Sequence, residues 1–293
     1  MDWSFSFLIS RNSGARRLLF IQFYLVKFRI FNTSVIDAFY QTVKKKPNKV
    51  GFRIENESWT FERMDEFSNR VANYFRTLGY KKGDEVSLLM ENRIEYIGIW
   101  LGLAKIGVVP AFINTNQKDK ALVHAIYSVD SSAVIFSAPF AETVSEIVDE
   151  LNRTKKLDYF IFGGADEKVN FQVRHLEAGI NESSTARPAH KCGFNDKLYY
   201  IYTSGTTGYP KASVIKHCRF IFGAIGTYVS MQLRHDDILY SPLPIYHSVA
   251  GLVGTGLALV KGITLVLKPK FSASSFWSDC IKYEITAVQY VSI

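Results

Sequence analysis

The sequence predicts an α/β fold of mostly parallel sheets flanked by helices. Three observations point there. From Ser34 onward, short apolar runs of strand length alternate with longer segments whose apolar residues recur at helical spacing. The helical segments fall between successive strands, as crossovers joining parallel strands must. Glycines punctuate the ends of the periodic segments, with Gly79 and Gly107 placed to close helices.

The elements follow in order. Ser34 is placed to cap a helix carrying Ile36, Phe39 and Val43, which must end before Pro47. Residues 50–55 read as a strand, with Asn56-Glu57 turning into a short partner at 58–60. Thr60 caps a helix with Phe61, Met64, Phe67, Val71, Phe75 and Leu78 on one face. A buried strand at 85–90, a helix at 96–106 and a strand at 108–113 come next. Helices at 118–129 and 141–151 alternate with strands at 133–136 and 159–162. Residues 163–196 are rich in Gly, Asp, Asn and Ser with weak periodicity and read as a linker. Beyond it lie a strand from Leu198, a helix near 220–231, a strand at 238–241, a helix at 248–259, and strands at 263–267 and 287–291. The last residues sit inside a strand pattern, so the domain is expected to be incomplete at its C-terminal end.

The chain has 293 residues, 47% hydrophobic and 21% charged, enough for a sizeable core. A net charge of +8 favours anionic partners. The short basic runs, Lys44 to Lys46 among them, read as solvated surface, and no nucleic-acid motif is present, so no nucleic-acid partner is expected. Three distant cysteines form neither a disulfide framework nor a metal pair and imply a reducing compartment. Sequons at Asn32, Asn56, Asn152 and Asn181 are then chance matches. Residues 1–31 stand apart as an apolar and basic segment. Residues 18–31 are strongly apolar but short for a span and interrupted by Gln22, Lys27 and Arg29. With Arg11, Arg16 and Arg17 before them, they fit an interfacial anchor or a buried amphipathic helix. The order of charges does not fit a secretory signal.

One stretch carries chemistry. Thr203-Ser204-Gly205-Thr206-Thr207-Gly208-Tyr209-Pro210-Lys211 sets four hydroxyls, two glycines and a lysine behind the apolar run Leu198-Tyr199-Tyr200-Ile201. Glycines let backbone N–H groups approach a ligand, successive N–H groups form an anion-binding concavity, and Lys211 adds a full charge. The ligand such a loop suits is a polyphosphate. It is not a Walker A loop: Gly205 and Gly208 are too close, and Lys211 follows Pro210. A plain glycine-rich turn is the remaining structural alternative.

Residues 203–211 match at every position the phosphate loop of the adenylate-forming enzymes, Thr-Ser-Gly-[Ser/Thr]-Thr-Gly-x-Pro-Lys. Other segments are similar too: Leu101 to Gly107, Asn114-Thr115-Asn116, and Ser241-Pro242-Leu243-Pro244-Ile245-Tyr246-His247-Ser248. Met90-Glu91-Asn92-Arg93 and Leu-Pro-Ile-Tyr-His most resemble the fatty acid transport protein and very long-chain acyl-CoA synthetase branch. The resemblance spans about residues 34–293. It implies the N-terminal portion of the family's fold, with stacked sheets, and assigns residues 32–293 to an incomplete AMP-binding domain. It also implies conversion of a fatty acid carboxylate to an acyl-adenylate at the expense of ATP, then to a thioester of coenzyme A, coupled to fatty acid uptake. Thr203, Ser204, Gly205, Thr206, Thr207, Gly208 and Lys211 would hold the ATP phosphates, with Mg²⁺ bridging phosphate oxygens near Thr206 or Thr207. Tyr246 and His247 would shape or gate the substrate pocket; a structural His beside an aromatic is the alternative.

The family's Tyr-Gly-x-Thr-Glu and Thr-Gly-Asp segments are not found, nor its mobile C-terminal domain, so half an active site and no ligase activity are expected of residues 1–293 alone. The family places such an enzyme at the endoplasmic reticulum or plasma membrane with its catalytic face in the cytosol. Two other readings stay open: a non-catalytic, membrane-associated lipid- or partner-binding isoform, and a ligase for another carboxylic acid. Chain length of the acid and oligomeric state are not legible.

Overall fold

A computed structural model of the chain describes residues 14–164, 169–189, 192–203 and 209–290. The order of elements is α1 (Gly14–Ile30), α2 (Val35–Lys45), β1 (Val50–Ile54), β2 (Glu57–Thr60), α3 (Phe61–Thr77), β3 (Glu85–Leu89), α4 (Ile94–Lys105), β4 (Val109–Phe112), α5 (Asp119–Tyr127), β5 (Ser131–Ser137), α6 (Ala141–Thr154) and β6 (Asp158–Phe162). There follow β7 (Arg174–His175), α7 (Leu176–Glu182), β8 (Lys197–Thr203), β9 (Lys211–Lys216), α8 (His217–Ser230), β10 (Ile238–Ser241), a π-helical turn (Val249–Gly254), α9 (Thr255–Lys261), β11 (Thr264–Leu267), α10 (Phe276–Lys282) and β12 (Ala287–Val288).

Among the described residues the strands form two sheets, ordered β7-β6-β5-β3-β4-β8-β9 and β12-β10-β11-β1-β2. Pairing is parallel except at one edge of each sheet, where β8 meets β9 and β1 meets β2 as antiparallel pairs. The expected α/β architecture is therefore present. One core joins the sheets: Phe52 and Leu265 share it with Leu88, Phe112 and Tyr199, packed through α2, α3, α4, α8 and α9. The strands split by alternation, as pleating dictates. In β5, Ala133 and Ile135 face that core, while Val134 and Phe136 face α5 and α6. In β11, Leu265 and Leu267 face inward and Val266 joins Tyr240 and Tyr283 on the far side.

Local chemistry sets the boundaries. Ser34 and Asp37 form a capping box, with Asp37 N–H donating to Ser34 Oγ at 3.1 Å and Ser34 N–H to Asp37 Oδ2 at 2.9 Å. Thr60 Oγ1 caps α3 by accepting from Arg63 N–H at 3.1 Å. Helices α3 and α4 pack closely because of Gly102: a Cβ there would lie 2.6 Å from the Ser68 carbonyl oxygen. An alanine at 102 must push the helices apart.

Four stretches differ from the sequence reading. Residues 163–196, read as a linker, hold β7 and α7; Leu176 and Ile180 are buried, and Asn69 and Asn73 of α3 donate to the carbonyls of Thr185, Ser184 and Ala186. Elements of two and seven residues are too short to establish a period. Strand β9 follows Pro210 without a sequence signal of its own. The helix expected at 248–259 begins as the π-helical turn before α9. Helix α10 was hidden by an inverted pattern, with Asp279 buried while Trp277 and Ile281 are exposed.

Helix α1 is neither wholly buried nor detached. Ile21 is buried and Tyr24, Leu25 and Phe28 lean on the core, while Leu18, Leu19, Phe23, Val26 and Ile30 are exposed. Arg17 ties it to the Ser230 carbonyl of α8 at 3.1 Å.

Candidate functional site

In sheets of parallel strands, ligands bind beyond the carboxyl ends of the strands. Here β4 and β8 run parallel, so Phe112 and Thr203 end on the same side. Strand β8 carries its apolar run between β4 and β9, and burial fixes it. Tyr202 adds a tether: its hydroxyl donates to the Ala125 carbonyl at 2.6 Å, and burial pushes its pKa up to about 12.

The glycine-rich loop closes the β8–β9 hairpin. Thr203 and Lys211 are cross-strand partners at its mouth. Ser204, Gly205, Thr206, Thr207 and Gly208 lie outside the described residues.

The segment 241–248 arrives from the other sheet. Beyond β10, Asn92 grips it: its Oδ1 accepts from Ile245 N–H at 2.8 Å and its Nδ2 donates to the carbonyls of Leu243 and Lys268, both at 2.9 Å. The His247 N–H donates to the Pro244 carbonyl at 3.0 Å, and the His247 carbonyl accepts from Gly251 N–H at 2.7 Å. Only glycine fits at 251, where a Cβ would stand 2.1 Å from the Ile245 carbonyl oxygen. Tyr246 is buried and His247 exposed, their rings 4.9 Å apart and tilted by 41°.

These segments enclose a cavity of about 530 Å³ lined by Phe112, Asn114, Gln117, Thr203, Tyr246 and His247 among others. A second cavity of about 590 Å³ is lined by Asn92, Leu243, Pro244, Phe271 and Tyr290. Tyr246 is the residue common to both. The first cavity joins polar side chains to the end of the glycine loop; the second has a wall of prolines and aromatics. Together they suit a ligand with a charged end and an apolar end.

Thr203, Tyr246 and His247 are thus brought together, and Lys211 stands across the hairpin from Thr203. Sequence reasoning missed the positioning role of Asn92. It also missed Gln117, whose Oε1 is buried without a hydrogen-bond partner among the described residues. Its place behind Asn114-Thr115-Asn116 was the only available signal. Among the described residues no group of three His, Cys, Asp or Glu side chains could hold a metal ion.

The fold and this cavity define an α/β protein with a cavity at the carboxyl ends of parallel strands. Residues 39–292 match the family described as AMP-binding enzyme, and the chain belongs to that family. It is 38% identical to long-chain fatty acid transport protein 1 of Bos taurus over 302 residues, covering 99% of this chain and 46% of that protein. The chain thus spans about half the length of that relative. The inhibitor-bound N-terminal domain of FACL13 from Mycobacterium tuberculosis superposes with a TM-score of 0.77 at 28% identity, over 87% of this chain and 62% of that one. The anthranilate CoA ligase AuaEII, solved with anthranoyl-AMP, shares the fold with a TM-score of 0.79 at 20% identity, over 87% of this chain and 49% of that one.

Proposed function

We propose that the chain is the phosphate-gripping part of an ATP-dependent ligase that converts long- or very long-chain fatty acids to acyl-CoA. The observation that carries this reading is the shared wall at Tyr246 between a cavity of mixed lining at the hairpin end and a more apolar one. Relatedness to fatty acid transport proteins supports the choice of acid.

In the first step a carboxylate oxygen bonds to the α-phosphorus of ATP while the bond to pyrophosphate breaks. The thiol of coenzyme A then attacks the acyl carbon and AMP leaves. Thr203, Ser204, Gly205, Thr206, Thr207, Gly208 and Lys211 hold the outer phosphates and neutralise the departing pyrophosphate. Thr206 or Thr207 would help hold a magnesium ion, which would supply further charge neutralisation when bound. Tyr246 and His247 divide the nucleotide end from the acyl end, orienting the carboxylate.

Membrane association accompanies this activity. Among the described residues no single helix is long and apolar enough to cross a membrane; a pair bent by 106°, Arg16–Ile30 with Val35–Lys45, passes only together. Val35, Ile36 and Phe39 of α2 are fully buried in the core, so the pair cannot enter a bilayer without unfolding the domain. Residues 1–31 instead form the membrane-facing segment, on an endoplasmic reticulum or plasma membrane surface with the catalytic face in the cytosol.

The test is acid-dependent exchange of labelled pyrophosphate into ATP by the full-length gene product. Long-chain acids should support exchange far better than acetate or benzoate. Equal exchange with benzoate would move the assignment to another carboxylic acid, and no exchange with any acid would refute the ligase reading.

A further inference from the structure

A different cavity, of about 660 Å³, lies between α1, α2, α8 and α9. Its charged lining is Lys27, Lys45, Lys46 and Lys261; among the described residues that line it, none is acidic. Two helix ends create this. Helix α2 finishes in the basic run 44–46, and α9 finishes at Lys261 before Gly262 turns the chain at φ 68°. Cations at helix C-termini complement the dipole, which helps both helices tolerate the crowding. Lysines 45 and 46 are therefore cavity lining as well as part of the surface run.

Lys261 shows the imbalance most clearly. Its ammonium is held by ring faces, 4.3 Å from the Tyr228 centroid and 5.2 Å from that of Tyr24. Burial lowers its pKa, and Lys45 and Lys46 lower it further. Lys46 reaches the exposed His235 carbonyl at 3.5 Å and feels Asp236, so its charge is partly answered outside the cavity. An anion placed inside would relieve the mutual repulsion of the group.

The apolar surroundings say which kind of anion. Phe31 lines this cavity and is 71% exposed, and it follows the exposed face of α1. That face presents Leu18, Leu19, Phe23, Val26 and Ile30 to solvent, five large apolar side chains exposed on one helix. A soluble phosphate would satisfy the lysines and leave this face uncovered; a lipid surface satisfies both.

We propose that this cavity is a headgroup site for an anionic phospholipid. The phosphate sits among Lys45, Lys46 and Lys261, Tyr24 and Tyr228 flank the glycerol region, and the apolar face of α1 enters the same leaflet. The site does not depend on the ligase reading, since binding is measured without ATP or fatty acid.

Vesicle flotation tests it, using phosphatidylcholine alone or doped with phosphatidic acid. The wild-type chain should bind the doped vesicles preferentially. Lys45→Gln with Lys261→Gln should weaken that binding about 30-fold. Lys44→Gln with Lys81→Gln removes the same charge outside the cavity and should change it no more than about twofold. Equal losses in the two double variants would reduce the effect to diffuse attraction and overturn the site, as would equal binding to both vesicle types. Competition on the wild-type protein needs no variant to fold: soluble dihexanoyl phosphatidic acid should displace doped vesicles, and inorganic phosphate should not. Equal displacement by inorganic phosphate would mean a free-phosphate site and would also overturn the proposal.

Discussion

Asn92 Oδ1 accepts the Ile245 N–H at 2.8 Å, across 153 residues of sequence. The side chain is 7% exposed and its amide donates to two further backbone carbonyls, a pattern that fixes which end is oxygen. Through this clamp the turn after β3 ties the segment that carries Tyr246 and His247 to the other sheet, beyond the hydrogen bonds the segment makes within itself. The family-like segments around Met90 and Tyr246 therefore make one physical unit.

Replacing Asn92 with alanine should cost about 3 kcal/mol, since one buried N–H and two carbonyls lose their partner. Asn92→Asp retains the acceptor and should still destabilise, because it turns an oxygen toward the two carbonyls. Urea unfolding measures the cost. In the full-length protein, at a temperature where both variants are folded, pyrophosphate exchange should also fall. A loss of stability below about 0.5 kcal/mol would show that the segment is held by other means.

Lys211 should separate stability from activity. It is exposed at the start of an edge strand, opposite Thr203, with no ion pair among the described residues. Lys211→Ala should leave unfolding free energy within about 0.5 kcal/mol of wild type while lowering pyrophosphate exchange on the order of 10²-fold. Undiminished exchange would remove the loop from the site.

The legible parts of the fold were those whose residues face one way. Helix α3 could be read because Phe61, Met64, Val71 and Phe75 are all buried in one core and Gly79, at φ 92°, stops it. Helix α10 could not, because the sheet face it covers offers a polar partner: Asp279 accepts from the Tyr240 hydroxyl at 2.9 Å and from Lys268 at 3.2 Å. At the site, the apolar run 198–201 was legible as a strand, and as part of β8 it sets Thr203 across from Lys211. Asn92 and Gln117 were not, because a clamp or a cavity wall is defined by partners distant in sequence.

Cys192 should be the least reactive of the three cysteines. It is buried, its thiol sits 3.6 Å from the Ala104 carbonyl, and burial pushes its pKa up to about 11. Near pH 8 its thiolate fraction is then on the order of 10⁻³, against roughly a quarter for an ordinary cysteine. Iodoacetamide labelling followed by peptide mass analysis should modify Cys218 and Cys280 well before Cys192. Labelling of Cys192 first would contradict its placement beneath α4.

The buried cation Lys105 makes the last test, one of pH. It is 0% exposed, with Nζ 2.6 Å from both Asp65 Oδ1 and Asn69 Oδ1; Arg187 holds the other oxygen of Asp65 at 2.8 Å. Lys105→Met breaks this pair from one side and should cost about 3 kcal/mol near neutral pH. Burial lowers the Lys105 pKa to about 8, against the opposing pull of Asp65. The folded value lies below the unfolded one, so between about pH 8 and 10 the unfolded chain holds more protons and stability rises with pH. Below about pH 8 both states are protonated, and the penalty is full and constant. Lys49, also lowered to about 8 by burial and by Lys46, gives wild type and variant the same slope, so their difference isolates Lys105. Urea unfolding across that range should therefore show wild type gaining on Lys105→Met as pH rises. Parallel curves would mean that Asp65 and Asn69 hold the proton on Lys105 throughout.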